Sequence, residues 1–242
     1  MTVPDSSVAI ITGASSGIGL AAARMLAGRG WGVVLVARDE ARLREAAGAA
    51  ASVGDASRVA SIAADVADAS QPARMVRGAL ERFGRIDALI NSAGAAPLMP
   101  IEKHTPEVVR AAFAVNAEAP ANLIAAAWPT FAAQRRGCIV SVSSMAARDP
   151  FAGFFAYGAA KAAVNLLTLS AAREGKAKGI RAFAVGPGAV ETPMLRSIFS
   201  KKAVPPSACL KPEDVASVIV DCVEGRRDAE NGTVIYLPSP GR

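Results

Sequence analysis

A chain of 242 residues, 52% hydrophobic but only 5% aromatic, is long enough for one α/β domain with a sizeable core, and nothing in it calls for a second. Its formal charge of +6 sits on lysines and arginines that never run longer than two in a row, too scattered for a nucleic-acid surface. Three cysteines at unrelated spacings and a single histidine argue against a disulfide framework, a zinc or other metal site and a His-based triad.

No stretch approaches the ~18–20 apolar residues of a membrane span. The most apolar region, 111–133, is interrupted by Asn116, Glu118, Pro120, Asn122 and Pro129. Asp5 stands where a signal peptide wants positive charge, and the run Val8-Ala9-Ile10-Ile11 is too short for its apolar core. The expectation is a soluble, cytoplasmic protein. Cys138, Cys209 and Cys222 read as buried small hydrophobes in a reducing compartment. His104, beside Lys103 and ahead of Thr105-Pro106-Glu107, reads as a solvated loop residue.

In chain order, the first strand is expected over 8–12. It runs into Thr12-Gly13-Ala14-Ser15-Ser16-Gly17-Ile18-Gly19, which opens a helix over 17–28. Gly13 permits a tight turn off the strand, while Gly17 and Gly19 let backbone approach a pyrophosphate and let the helix pack on the sheet. The helix N-terminus presents unpaired N–H groups and a partial positive charge to phosphates. The second strand, 33–37, ends at Ala37-Arg38. An acidic residue there would bind a ribose 2′-hydroxyl and repel a 2′-phosphate, whereas a guanidinium grips the phosphate. The position favours NADP(H), with Asp39 suited to cap the helix 39–51.

A strand over 59–63, a helix over 71–83 and a strand over 88–91 follow, then a helix over 106–135 with a break near Asn116. The strand 139–143 ends in Ser143-Ser144, and a helix over 157–176 begins at Tyr157, with Lys161 one turn on. On one helix face an ammonium within reach of a phenol brings the phenol's pKa down from ~10 toward the range of a general acid or base. A strand over 181–185 precedes the proline-rich, apolar segment 192–212, a common form for a lid. A helix over 211–224 and a strand over 233–237 complete the pattern. Short apolar strands alternating with helices describe an α/β chain, a Rossmann-type doubly wound, mostly parallel seven-stranded sheet with helices on both faces, in one domain over 1–242.

The order of 12–19, Asn91-Ser92-Ala93-Gly94, Asn116, Ser144, Tyr157-x-x-x-Lys161, and Gly186-Pro187-Gly188 followed by Thr192 resembles the short-chain dehydrogenases/reductases over nearly the whole chain. The resemblance implies a catalytic tetrad of Asn116, Ser144, Tyr157 and Lys161. Ser144, thirteen residues before Tyr157, has the family's usual spacing and is preferred to Ser143. Ser144 would hydrogen-bond the substrate oxygen and Tyr157 would donate the proton. Lys161 would lower the phenol pKa and hold the nicotinamide ribose, and Asn116 would anchor a water leading to solvent. Cofactor contacts are implied at Gly13, Ser15, Ser16, Gly17, Ile18, Gly19 and Arg38, with Asp65 and Val66 at the adenine. Asn91, Ala93 and Gly94 would run along the cofactor, joined by Tyr157, Lys161, Pro187 and Gly188, with Val190 and Thr192 at the carboxamide.

Three departures stand out. Ser92 replaces an Asn, Phe183 stands where many members carry Asn, and the end reads Tyr236-Leu237-Pro238-Ser239-Pro240 instead of apolar-Asp-Gly-Gly. Because that end often builds subunit contacts in the family, a homodimer is as much in view as the usual homotetramer.

A pocket wall of Ala95, Leu98, Met99, Met145, residues 151–155 and the apolar lid side chains suits a small lipophilic or aromatic ketone, or the matching secondary alcohol. A 3-oxoacyl chain on a carrier protein is the alternative, with Arg135, Arg136 and Lys178 placed to receive an acidic carrier. A non-catalytic NADPH-sensing protein is a further alternative, although it would not need the Ser–Tyr–Lys set.

Overall fold

Alternate residues of each strand point to opposite faces, and the two sets enter two separate cores. A computed structural model describes residues 7–240, so Asp5 lies outside the described residues. The strands are β1 (Val8–Thr12), β2 (Gly32–Ala37), β3 (Val59–Ala63), β4 (Ala88–Asn91), β5 (Gly137–Val142), β6 (Ile180–Pro187) and β7 (Val234–Leu237). The helices are α1 (Gly17–Ala27), α2 (Glu40–Ala51), α3 (Gln71–Phe83), α4 (Pro106–Phe113), α5 (Ala119–Gln134), α6 (Phe155–Gly175), α7 (Pro193–Ile198) and α8 (Pro212–Val223). Ile11, Val33, Leu35, Ile90, Val140 and Val185 pack against α1, α2 and α8. Ile10, Val34, Leu89, Ile139 and Ala182 pack against α3, α5 and α6. That period-2 division is what burial on both faces demands.

The sheet order is β3-β2-β1-β4-β5-β6-β7, and every pairing is parallel. The fold is therefore the expected doubly wound sheet, fully rather than mostly parallel. The strand order reverses between β1 and β4, so a crevice opens at the carboxyl ends of those strands.

The expected break near Asn116 takes a specific form. The chain does not leave the helix but passes from α4 to α5 through one π-helical stretch, Ala114–Glu118. Such bulges collect at functional positions because they push one side chain out of helical register. Asp39 caps α2 by accepting from the Arg42 amide at 3.0 Å, as its position predicts. Phe183 is fully buried in the core beside α8. Cys138, Cys209 and Cys222 are free and buried.

His104 differs from expectation. A 3-10 turn over Ile101–Lys103 folds it back onto the start of α6, where its ring meets Phe155 edge-on at 5.4 Å. Its Nδ1 lies 3.1 Å from the Pro100 carbonyl oxygen, and Nε2 is buried with no partner among the described residues. Arg135, Arg136 and Lys178 also differ from the expectation that they could receive an acidic carrier. Arg135 and Arg136 precede β5 and Lys178 precedes β6, so all three lie at the amino-terminal edge of the parallel sheet, opposite the ends of the strands that reach Tyr157. There Arg136 pairs with the buried Asp87 and Lys178 covers the Trp128 ring. Among the described residues no helix is long and apolar enough to cross a membrane.

Candidate active site

The glycine stretch forms a closely packed cradle. A Cβ at Gly13 would come within 2.8 Å of the Ala93 backbone, and one at Gly19 within 2.6 Å of the Gly13 carbonyl oxygen. Gly13 and Gly17 have φ of +65° and +54°, values that L side chains rarely adopt. The Thr12 hydroxyl accepts from the amides of Ser92 and Ala93, both at 3.1 Å, and ties the cradle to the segment after β4. Ser16 takes the N-cap position of α1 without a side-chain cap bond, and the first turn holds no acidic residue. The leading N–H groups of α1 therefore have no anionic partner among the described residues. Ser15, Ser16, Gly17 and Ile18 stay partly open at that end. These are the features a pyrophosphate requires, and the residues present fit one.

At the end of β2, the exposed Arg38 guanidinium lies 4.0 Å from the Asp65 carboxylate beyond β3, with the buried Val66 next in line. Asp65 also accepts from the Ala67 amide at 3.0 Å. Asn91 closes β4 in a buried position. Its Nδ2 donates to Ser141 Oγ at 3.3 Å, while its Oδ1 has no partner among the described residues. An acceptor left free at the crevice is a second feature that fits a bound nucleotide.

The π stretch turns the Asn116 side chain toward the segment after β4. Its Nδ2 donates to the carbonyls of Ala95 and Ala112, at 2.7 and 2.8 Å, and its Oδ1 accepts from the Ala95 amide at 3.2 Å. A Cβ at Gly94 would lie 3.0 Å from Asn116 Oδ1 and 3.6 Å from Lys161 Nζ, so this glycine sits where the two meet.

Ser144 follows β5 and heads the 3-10 turn Met145–Ala147, accepting from the Ala146 amide at 3.1 Å. Its side chain is also near enough to the Tyr157 phenol to favour the ionised form of that phenol. Gly158 permits this approach, since a Cβ there would stand 2.9 Å from the Ala146 carbonyl oxygen. Ser143 is buried and donates to the Lys161 carbonyl at 3.3 Å, a structural bond that leaves Ser144 as the serine facing the phenol.

The buried Lys161 ammonium donates to the Val142 carbonyl at 2.8 Å and lies 5.8 Å from the Tyr157 ring centre. Burial lowers its pKa to about 8. The pKa of the Tyr157 phenol is pushed upward by burial, and the nearby Ser144 works against that push. The lowered phenol expected from the Tyr–Lys spacing is thus not what these groups produce by themselves, because desolvation outweighs the opposing effect of Ser144.

Pro187 ends β6 and leads through Gly188 to Val190, which is buried and pairs with Leu210. Thr192 caps α7 by accepting from the Leu195 amide at 3.2 Å, and its methyl lies 3.0 Å from where a Gly17 Cβ would be. Arg196, which sequence reasoning did not single out, pairs with Glu191 and donates to the Val204 carbonyl at 2.8 Å, bracing the segment 192–212 from within.

Phe154, one turn before Tyr157, meets its ring at 5.1 Å, Phe151 at 4.6 Å and Phe199 at 6.5 Å. Five of the seven large apolar side chains most open to solvent among the described residues, Leu98, Ile101, Phe151, Phe155 and Met194, belong to the three segments that border Tyr157.

A family model described as short chain dehydrogenase matches residues 7–203. The chain is 32% identical to an uncharacterized oxidoreductase of Listeria monocytogenes over 94% of each chain. Among solved structures it resembles a levodione reductase, with a TM-score of 0.90 and 27% identity over 96% of both chains. It also resembles a 3-ketoacyl-(acyl-carrier-protein) reductase from Brucella melitensis complexed with NADH, with a TM-score of 0.89 and 29% identity over 98% of both chains.

Proposed function

This chain belongs to the short-chain dehydrogenase family, and from that premise we propose an NADP(H)-dependent oxidoreductase interconverting a ketone and a secondary alcohol on a small lipophilic substrate. One nucleotide-binding domain over 1–242 would do this work. The observation that carries the reading is the closeness of Ser144 to the Tyr157 phenol, one helical turn from a buried ammonium and beside an uncapped glycine cradle.

The cradle residues Gly13, Ser15, Ser16, Gly17, Ile18 and Gly19 would hold the pyrophosphate. Arg38 would take the 2′-phosphate, Asp65 and Val66 the adenine, and Asn91, Ala93 and Gly94 the length of the dinucleotide. Pro187, Gly188, Val190 and Thr192 would flank its reacting end. When bound, the reduced nicotinamide supplies the hydride.

The protein's own residues handle the oxygen. Ser144 orients the substrate carbonyl by hydrogen bonding, and Tyr157 donates its proton to that oxygen; its raised pKa keeps the phenol protonated at neutral pH. The Lys161 ammonium adds positive charge beneath the phenol, and Asn116 fixes the segment over which the substrate enters. The apolar collar around Phe154 excludes water and favours a greasy ketone.

Likeness to a ketoacyl reductase keeps a 3-oxoacyl thioester as the second reading, although Arg135, Arg136 and Lys178 lie at the opposite edge of the sheet from Tyr157. Free, buried cysteines support a reducing cytoplasm. An exposed groove of about 390 Å³ along α5 and α6, bordered by Leu166, supports a homodimer or homotetramer.

Tyr157→Phe tests the enzyme reading. Ketone turnover should fall about 10²–10⁴-fold, the range for losing a general acid, with NADPH affinity retained. Turnover undiminished by this change would remove Tyr157 from the chemistry.

A further inference from the structure

We infer that the C-terminal segment 236–239 is a positioning element for the reacting end of the site, and that Ser239 is the positioning residue through which it acts. The inference rests on the reading that the turn after β6 flanks a bound dinucleotide.

Two successive amides of that turn end on the tail. The Gly188 amide donates to the Leu237 carbonyl at 2.9 Å, and the Ala189 amide donates to Ser239 Oγ at 2.7 Å. Ser239 is the only acceptor the Ala189 amide has among the described residues. The tail lies directly on the turn: a Cβ at Gly188 would stand 2.4 Å from Ser239 Oγ and 3.0 Å from the Ser239 nitrogen.

From Ala189 the path to the cradle is short. The Ala189 carbonyl accepts from the Leu210 amide at 2.9 Å, which closes the base of the segment 192–212. Three residues on, the Thr192 methyl packs 3.0 Å from the Cβ position of Gly17. A shift at Ala189 therefore moves both the segment over the site and a wall of the pyrophosphate cradle.

Tyr236 extends the hold to the other two elements. Its ring packs 2.8 Å from the Cβ position of Gly186, and its hydroxyl accepts from Asn165 Nδ2 at 3.3 Å. Asn165 lies one turn beyond Lys161 on α6. The Arg148 guanidinium, four residues after Ser144, stands over the Tyr236 ring at 5.3 Å. One short tail thus touches the helix of Tyr157 and Lys161, the loop of Ser144 and the turn of Gly188.

The test is NADPH titration, followed by nucleotide fluorescence, together with thermal unfolding of the wild type, S239A and S239T. S239A should bind NADPH about tenfold more weakly, equivalent to ~1.4 kcal/mol, a larger loss than any fall in its thermal midpoint accounts for. S239T keeps the accepting oxygen and should restore wild-type affinity. Unaltered binding by S239A, a loss shared equally by S239T, or a loss matched by a lower midpoint would each overturn the inference. A wild-type protein that binds no NADPH would overturn the dinucleotide reading, and this inference with it.

Discussion

The Lys161 ammonium donates to the carbonyl oxygen of Val142 across 2.8 Å, joining the middle of a helix to the last residue of a central strand. Val142 ends β5 two residues before Ser144, and Lys161 lies one turn after Tyr157. This bond therefore sets the register between the strand that delivers the serine and the helix that delivers the phenol. Burial also lowers the pKa of this ammonium to about 8.

The pH dependence of this group has a definite sign. Burial brings Lys161 from 10.5 to about 8, so below pH 8 folded and unfolded chains are both protonated here and the desolvation cost is fully felt. Between pH 8 and 10.5 the unfolded chain binds more protons, and this group's contribution to stability rises with pH. Urea unfolding should show the wild type gaining on Lys161→Met across that window. Carbonyl reduction should fall as pH passes about 8, where the ammonium is lost, while the phenol stays protonated. A flat stability difference between the two proteins would contradict the burial argument.

Arg38→Ala should separate the two nicotinamide dinucleotides. A hydrogen-bonded charge contributes ~1.5–3 kcal/mol, so NADPH affinity should drop about 10–100-fold while NADH affinity changes little. Exposure of Arg38 and its loose 4.0 Å pairing with Asp65 leave the guanidinium free to turn toward a 2′-phosphate. Equal losses for both nucleotides, read by titration, would refute the assignment.

Asn116→Ala removes one donor used twice and one acceptor, and strands the amide and carbonyl of Ala95. Leaving such groups unpaired costs ~1–3 kcal/mol each, and denaturant unfolding should register a loss of that size. Turnover should fall further than the unfolded fraction explains, because Gly94 and Lys161 share the same junction.

Much of this was legible because apolar periodicity and glycine placement are local signals. β1, β3, β4 and α3 fall where the pattern puts them, and Asp39 caps α2 as its position requires. Features set by distant contacts are less legible in the sequence. β6 runs on to Pro187 because β7 offers it a partner, and the helix of Tyr157 starts two residues early, at Phe155, after a turn whose shape depends on Gly158 meeting Ala146. His104 looked solvated because its neighbours are polar, yet Phe155, fifty-one residues away in the chain, receives its ring. The Tyr–Lys spacing was visible, but the competition of Val142 for the ammonium was not. Ser239 and Arg196 carried no sequence signal, since each acts through backbone that only the folded chain brings near.

The most direct test is NADPH consumption, followed by the absorbance of the reduced nicotinamide, with aliphatic, aromatic and cyclic ketones, a 3-oxoacyl thioester, and NADH in parallel. The proposed function predicts turnover of an apolar ketone with NADPH preferred over NADH. Turnover of the thioester alone would establish the carrier-linked reading. Tight NADPH binding with no turnover of any substrate in the panel would contradict the proposed reaction and favour a protein that senses the nucleotide without using it.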